Sequence, residues 1–440
     1  MMSDCVDFYQ KQACAGISTV PWLARIQEQA CQELERTGFP TRHHEDWKYT
    51  SVDAFLQHRF VFNSTQTTDH TINKLARPIP SIPLRIVNGA VIPSEAKQSS
   101  GLCTDSSLAM TDSCTTLPSG VIIVPISEAL ECMPEKIKPY LGQILKQEHA
   151  FHALNTAMLH QGLFIYIPDN VSINEPLWLN HWQDKAEQAV NLRHIVVAGC
   201  GSRVTLIEDY AGLAETCYFT NTITEIHLAP KATVTHYKIQ RESKLAYHVG
   251  HLAVQQAEHS QFDSHSICIG SQWMRSDITI KLDEPNARCL MNGLYLPGDG
   301  QHMDHHTLVN HAVPDCQSAQ DYKGILKGKS RGVFNGRVVV AEGAQHTEAK
   351  QQNSNLLLSK NAEIDTKPQL EIFANDVICT HGATVGQLDE DALFYLATRG
   401  IAREEASRYL MSAFMNENMR LLANDKLAAW LSILLNEQLG

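Results

Sequence analysis

The chain has 440 residues, a formal net charge of −12 and 43% hydrophobic residues. It is long enough for a large core and more than one domain, and an acidic chain with no basic run is a poor partner for nucleic acid. No stretch approaches the roughly 18 apolar residues that span a bilayer, and MMSDCVDFYQ lacks a basic region followed by an apolar one, so a cytoplasmic chain with no membrane contact is expected.

Residues 19–37 read as an amphipathic helix. Pro21 sits in its first turn, Leu23, Ile26, Ala30 and Leu34 share a stripe, and Gly38 and Pro40 end it. PTRHHEDWKYTSV follows, and its Trp47 and Tyr49 read as core or interface anchors rather than catalytic groups. Residues 94–119 are rich in Ser, Thr and Gly without periodicity, as in a surface loop. Helix returns near residue 127 and ends in HAFHALNTAMLHQG, with Phe151, Leu154, Ala157 and Met158 on one face. After Gly162, LFIYIPDNVSINEPLWL reads as strand, turn, strand.

From there to Gly386 short β-runs alternate with polar turns, many marked by a small residue, a variable one and then usually an apolar one. The instances are Ser202–Val204, Ala232–Val234, Ser260–Phe262, Ala287–Cys289, Ala344–His346, Ala362–Ile364 and Ala383–Val385. Their spacing is irregular. No amphipathic helix of adequate length lies between the strands, which removes an α/β fold. A parallel β-helix, with small residues turning its corners, is favoured over a β-sandwich.

Twelve cysteines lie scattered and none forms CxxC, so neither a disulfide framework nor a metal site built from this chain alone has spacing support. Gly324–Ser330 imitates a phosphate-binding loop, but three residues separate its glycines where four are needed, and a strand follows where a helix must open. Gly199-Cys-Gly201 likewise runs on into a strand. QHMDHHTLVNH gathers His302, Asp304, His305, His306 and His311; a metal-dependent β-helix enzyme is the rival reading, although strand alternation sends His305 and His306 to opposite faces.

Residues 368–400 join two architectures. Leu370, Ile372 and Phe373 belong to a strand, Asn375-Asp376 turns, and Val377-Ile378 re-enters a strand carrying Cys379 and His381 on one face. Helix starts after Asp389, with acidic residues in its first turn and Arg399-Gly400 at its end. Two further stripes, Ala406, Tyr409, Leu410, Ala413, Phe414 and Leu421, then Leu427, Trp430, Leu431, Leu434 and Leu435, predict terminal helices suited to capping the open end of a solenoid.

The EDWKYT segment, LNTA followed by FIYIP, the stretch YKGIL, NGRVVV and NLLLS, and the ending HGATVG, LFYL and RGI together resemble the SufB/SufD family of the SUF iron–sulfur cluster assembly system along nearly the whole chain. Gly382 after the histidine, and the lack of a clustered N-terminal cysteine motif, resemble the SufD branch. The resemblance implies a mainly β fold, a right-handed parallel β-helix core flanked by N-terminal and C-terminal α-helical domains. The expected parts are an N-terminal helical region (1–93), a loop and helical connection (94–161), the core (162–386) and a C-terminal helical domain (387–440). It further implies a non-catalytic scaffold that pairs with SufB through the β-helix and binds the ATPase SufC through its C-terminal helices, for which Tyr409, Phe414 and Trp430 are candidates. His381, with Cys379, would face the SufB interface and touch iron or a nascent Fe–S cluster transiently. No tightly bound cofactor is implied, and ATP would belong to SufC. A homodimer of the isolated chain, or an adaptor without cluster chemistry, stays open.

Overall fold

The computed structural model describes residues 2–62, 77–92, 117–145 and 149–439, so most of the loop expected at 94–119 lies outside the described residues. Two helices open the chain, α1 (Met2–Cys14) and α2 (Pro21–Thr37). Pro21 occupies the first turn of α2, where its missing N–H costs nothing, and Gly38 ends it at φ 59° with its N–H on the carbonyl of Leu34. Leu23, Gln27, Ala30 and Leu34 form the buried stripe. The helical stretch expected from residue 127 is three short pieces, α3 (Ile126–Cys132), α4 (Pro134–Ile137) and α5 (Ala150–Ala157).

The core is a β-solenoid of about eight turns. Each full coil supplies one strand to each of two sheets. The ten-stranded sheet runs β19-β17-β15-β13-β11-β9-β7-β5-β1-β2 and the nine-stranded sheet β18-β16-β14-β12-β10-β8-β6-β4-β3. The strands are β1 (Ile82–Val87), β2 (Ala90–Ile92), β3 (Ile122–Pro125), β4 (Leu163–Ile167), β5 (Leu177–Gln183), β6 (Ala189–Ala198), β7 (Arg203–Gly212), β8 (Phe219–Leu228), β9 (Thr233–Arg241) and β10 (Tyr247–Gln256). They continue with β11 (Gln261–Cys268), β12 (Trp273–Leu282), β13 (Arg288–Tyr295), β14 (His302–His311), β15 (Gln317–Leu326), β16 (Arg331–Val340), β17 (Thr347–Leu357), β18 (Glu363–Ile372) and β19 (Val377–Gly386). All pairings are parallel except β1 with β2 and β3 with β4.

Arg203, Thr233, Gln261, Arg288, Gln317, Glu348 and Ile378 stand in register, so successive coils advance by 27 to 31 residues. Each corner before an odd-numbered strand of the central coils places one residue in the left-handed region, as at Lys231, His259, Asn286 and Asp315. A small, fully turned-in residue follows it: Ala232, Ser260, Ala287 or Cys316. The repeat read in the sequence is therefore real for these corners, with Cys316 as an unrecognised instance. Ala344 and Ala362 precede strands of different sheets, which made the spacing look irregular. Ala383–Val385 is a correction, since it lies inside β19 and turns nothing.

Three helices end the chain: α6 (Glu390–Thr398), capped by the Asp389 carboxylate on the Asp391 and Ala392 N–H groups, α7 (Arg403–Met419) and α8 (Asp425–Leu439). They do not cap the open end. Outward positions Ile207, Ile239, Ile267, Leu294 and Ile325 make an apolar strip along the ten-stranded sheet, and Met411, Met415, Met419, Leu427, Leu431 and Leu435 pack on it. Apolar surface on the sheet face attracts the helices more than the end of the solenoid does. The buried stripe of α7 is accordingly Ala406, Met411, Met415 and Met419, while Tyr409 on the helix and Leu421 in the turn after it stay exposed. The N-terminal segment covers the other sheet through Trp47, Phe55, Phe60 and Phe151 against Phe219, Tyr247 and Trp273.

Candidate functional site at the open end of the solenoid

The last coil, β18 and β19, has a pairing partner on one side alone among the described residues. Its outer backbone donors and acceptors therefore form an unpaired edge, the arrangement that recruits another strand. Alternation sets which side chains look inward. Thr347, Ala349, Gln351, Asn353 and Asn355 are turned in on β17, and their partners Val377, Cys379, His381, Ala383 and Val385 continue those rows at the mouth. Cys379 and His381 thus share one face, as the extended reading requires. His381 is exposed because no further coil lies over it, whereas Cys379 is half-buried against the core.

Their chemistry differs. Burial pushes the Cys379 thiol up, opposed in part by a backbone hydrogen bond at Ala349, so the sulfur is a poor nucleophile or ligand until a metal displaces its proton. An exposed imidazole is a borderline ligand that binds iron and releases it readily. On the same coil Phe373, Ile378 and Val385 are at least half exposed, large apolar groups spread along an unpaired edge.

The candidate docking residues on the C-terminal helices do not share one face. Tyr409 is exposed, its hydroxyl donating to Glu405. Phe414 packs against the sheet beneath Lys323, and Trp430 meets Trp178 at 5.9 Å between ring centres. The exposed large apolar groups of these helices are Phe394, Tyr395, Tyr409 and Ile433, with Leu421 exposed in the turn between α7 and α8.

The histidine-rich strand is β14, and its side chains diverge. His302, Asp304 and His306 face the N-terminal segment, where Thr50 donates to Asp304 at 2.6 Å. His305 points inward among Tyr295 and Tyr322, and His311 bonds Ser318 at 2.8 Å. Among the described residues no three His, Cys, Asp or Glu side chains already converge on a point that would hold a metal ion.

Sequence reading missed a polar half of the interior. Glu208 accepts from Tyr210 and lies 3.4 Å from His236, Glu242 lies 2.7 Å from His248, and Lys238 stands between them, all buried. Burial opposes ionisation of Glu208, yet the nearby His236 imidazole and the hydrogen bond from Tyr210 hold its carboxyl well below the usual range. The signal was present as polar residues at inward positions of neighbouring coils, legible once register is known.

The sequence matches two families: "SufBD protein N-terminal region" over residues 3–179 and "SUF system FeS cluster assembly, SufBD core domain" over residues 181–414. It is 32% identical over 406 residues to iron-sulfur cluster assembly protein SufD of Escherichia coli, covering 91% of this chain and 89% of that one. A SufBD family protein of Synechocystis is 32% identical over 311 residues, covering 68% and 69% of the two chains. SufD of Bacillus subtilis is 27% identical over 315 residues, covering 67% and 69%.

Proposed function

Because the chain belongs to the SufB/SufD family of the SUF iron–sulfur cluster assembly system, we propose that it is a non-catalytic scaffold subunit, paired with SufB through its last coil and with the ATPase SufC through its C-terminal helices. The observation that carries the reading is the uncovered last coil, which presents His381 and Cys379 at the mouth of the solenoid beside an unpaired strand edge. A second β-helix adding strands there would bury Phe373, Ile378 and Val385 and bring its own thiolates against His381. Iron is then cargo, held weakly enough by the imidazole to pass into a nascent cluster. The exposed Phe394, Tyr395, Tyr409 and Ile433 fit the SufC contact.

Residues 387–389 alone separate β19 from α6, so a force on the helices reaches the strand bearing His381 directly. SufC movement on ATP would in this way open the joint. The test is co-purification of the tagged chain with SufB and SufC, with His381→Ala beside it. The expected result is an intact ternary complex in both, with cluster formation lost in the variant. A wild-type chain that brings down neither partner overturns the scaffold reading; a variant that builds clusters at the wild-type rate removes His381 from the chemistry.

A further inference from the structure

The two helices that open the chain run antiparallel, and two contacts fix how they face each other. The Gln10 side-chain amide donates to the carbonyl of Leu34 at 3.5 Å, and the Ser18 N–H, just beyond α1, donates to the side-chain oxygen of Gln27 at 2.7 Å. Cys14 lies one turn past Gln10, and Cys31 lies one turn from both Gln27 and Leu34, so the two cysteines meet midway between these contacts. Their thiols are in hydrogen-bonding contact. Beside them Ala13 and Ala30 are fully buried, and side chains that small let the two backbones approach as a sulfur–sulfur bond requires.

The two sulfurs are unequally placed. Cys14 is half-buried at the end of α1, next to the exposed Ala15 and Gly16, where a small oxidant can reach it. Cys31 is 6% exposed and shielded beneath the helix pair. An accessible thiol held against a shielded one is the arrangement in which the first is modified and the second resolves it. Other thiols are engaged elsewhere: Cys5 donates to the carbonyl of His58 at 3.0 Å and Cys316 to that of Glu284 at 3.4 Å.

We propose that Cys14 and Cys31 are a redox modification site, closing into a reversible disulfide when the chain meets a low-molecular-weight disulfide such as oxidised glutathione. The Cys14 thiolate attacks one sulfur of the oxidant, and the first glutathione leaves as its thiolate. The Cys31 thiolate then attacks the Cys14 sulfur of the mixed disulfide, forming the Cys14–Cys31 bond and expelling the second glutathione. Two protein thiols are oxidised by two electrons, one glutathione disulfide is reduced, and the two thiol protons end on the two glutathiones. Closing is the slow step, since burial and then the Cys14 neighbour hold the Cys31 thiol up at about 12. The bond pins α1 over the aromatic cluster on the nine-stranded sheet, because Tyr9 of α1 packs on Phe39 and Phe55 at 5.6 and 5.1 Å between ring centres. No part of this rests on the scaffold reading.

The test is incubation of the reduced full-length chain with oxidised glutathione, trapping of free thiols with N-ethylmaleimide, and mass mapping of tryptic peptides without reductant. Trypsin places Cys14 in residues 12–25 and Cys31 in residues 26–36, each the one cysteine of its peptide. The expected product is those two peptides joined, separated again by dithiothreitol. Cys132, which is exposed, reports that the oxidant is active. A Cys14 that stays alkylated while Cys132 is modified overturns the proposal, as does one that stops as its glutathione adduct with Cys31 alkylated. In Cys14→Ser, Cys31 should stay reduced; Cys31 reacting there at the wild-type rate refutes the order of attack. Trypsin cleavage after Lys11 in the folded chain should slow on oxidation in the wild type and not in Cys14→Ser, and equal cleavage before and after oxidation refutes the pinning. The wild-type peptide map decides even if a variant fails to fold, and none of these measurements needs SufB or SufC.

Discussion

Replacing Arg275 with Met should loosen the N-terminal segment from the solenoid more than any surface change. The guanidinium donates to Asp277 at 2.9 and 3.0 Å, to Asp304 at 3.2 Å and to the carbonyl of Asp46, and its central carbon lies 3.9 Å from the centre of the Trp47 ring. Arg275 is 2% exposed and Asp304 0%, so methionine fills the volume but leaves two carboxylates sharing a dry site. Breaking one side of a buried pair costs about 3–5 kcal/mol, and the lost stacking on Trp47 adds roughly 1 kcal/mol. Burial alone would raise the Asp304 carboxyl, but His306 and Arg275 hold it at about 2 against an ordinary 3.8. A carboxyl depressed in the folded state stabilises the protein above its unfolded value, and that contribution disappears as pH falls from about 4 towards 2. In Arg275→Met much of that contribution is gone, so the deficit should be largest near neutrality and shrink in acid. Urea unfolding followed by tryptophan fluorescence, with limited proteolysis of the N-terminal segment, measures both effects. Adding Asp277→Asn and Asp304→Asn to the variant should restore most of the loss. A single variant within about 0.5 kcal/mol of wild type at pH 7 would refute the pairing argument.

The buried histidines predict acid sensitivity in a higher window. Burial pushes His251 and His311 down to about 4 from 6.5, so the unfolded chain binds protons that the folded one refuses, and stability falls as pH drops from about 6.5 towards 4. The slope is about 1.4 kcal/mol per pH unit for each such group; His311→Gln should remove one group's share in denaturant midpoints taken between pH 7.5 and 5, and a flat wild-type profile would contradict the burial. Leu431→Ala, at a fully buried position on the inner face of α8, should cost about 2–5 kcal/mol by thermal unfolding. Tyr409→Ser, at a position 52% exposed, should stay within about 0.5 kcal/mol yet weaken SufC capture; equal destabilisation of the two would mean that Tyr409 is part of the packing.

Local patterns carried much of this molecule. Pro21 and Gly38 bound α2, Asp389 starts α6, and the strand–turn–strand run through Asn375-Asp376 to His381 lies where alternation placed it. Small residues at corners marked the coil repeat, because a tight corner leaves no room for a larger side chain. Such features depend on a few neighbouring residues, so a linear reading reaches them. Placement of the terminal helices was different. It is decided by Ile207, Ile239, Ile267, Leu294 and Ile325, residues from five separate coils that form one apolar strip only after the register exists. Phe414 and Trp430 are drawn towards the sheet for the same reason, leaving Tyr409 outside. Packing also joins His152 to His251, 99 residues further on, and the interior joins Glu208 to His236 and Glu242 to His248. The sequence by itself determined the elements, the repeat and the family. Tertiary structure alone decided which faces are covered, which end stays open and which distant polar groups meet, because burial and charge pairing depend on residues that the chain separates and the coils bring together.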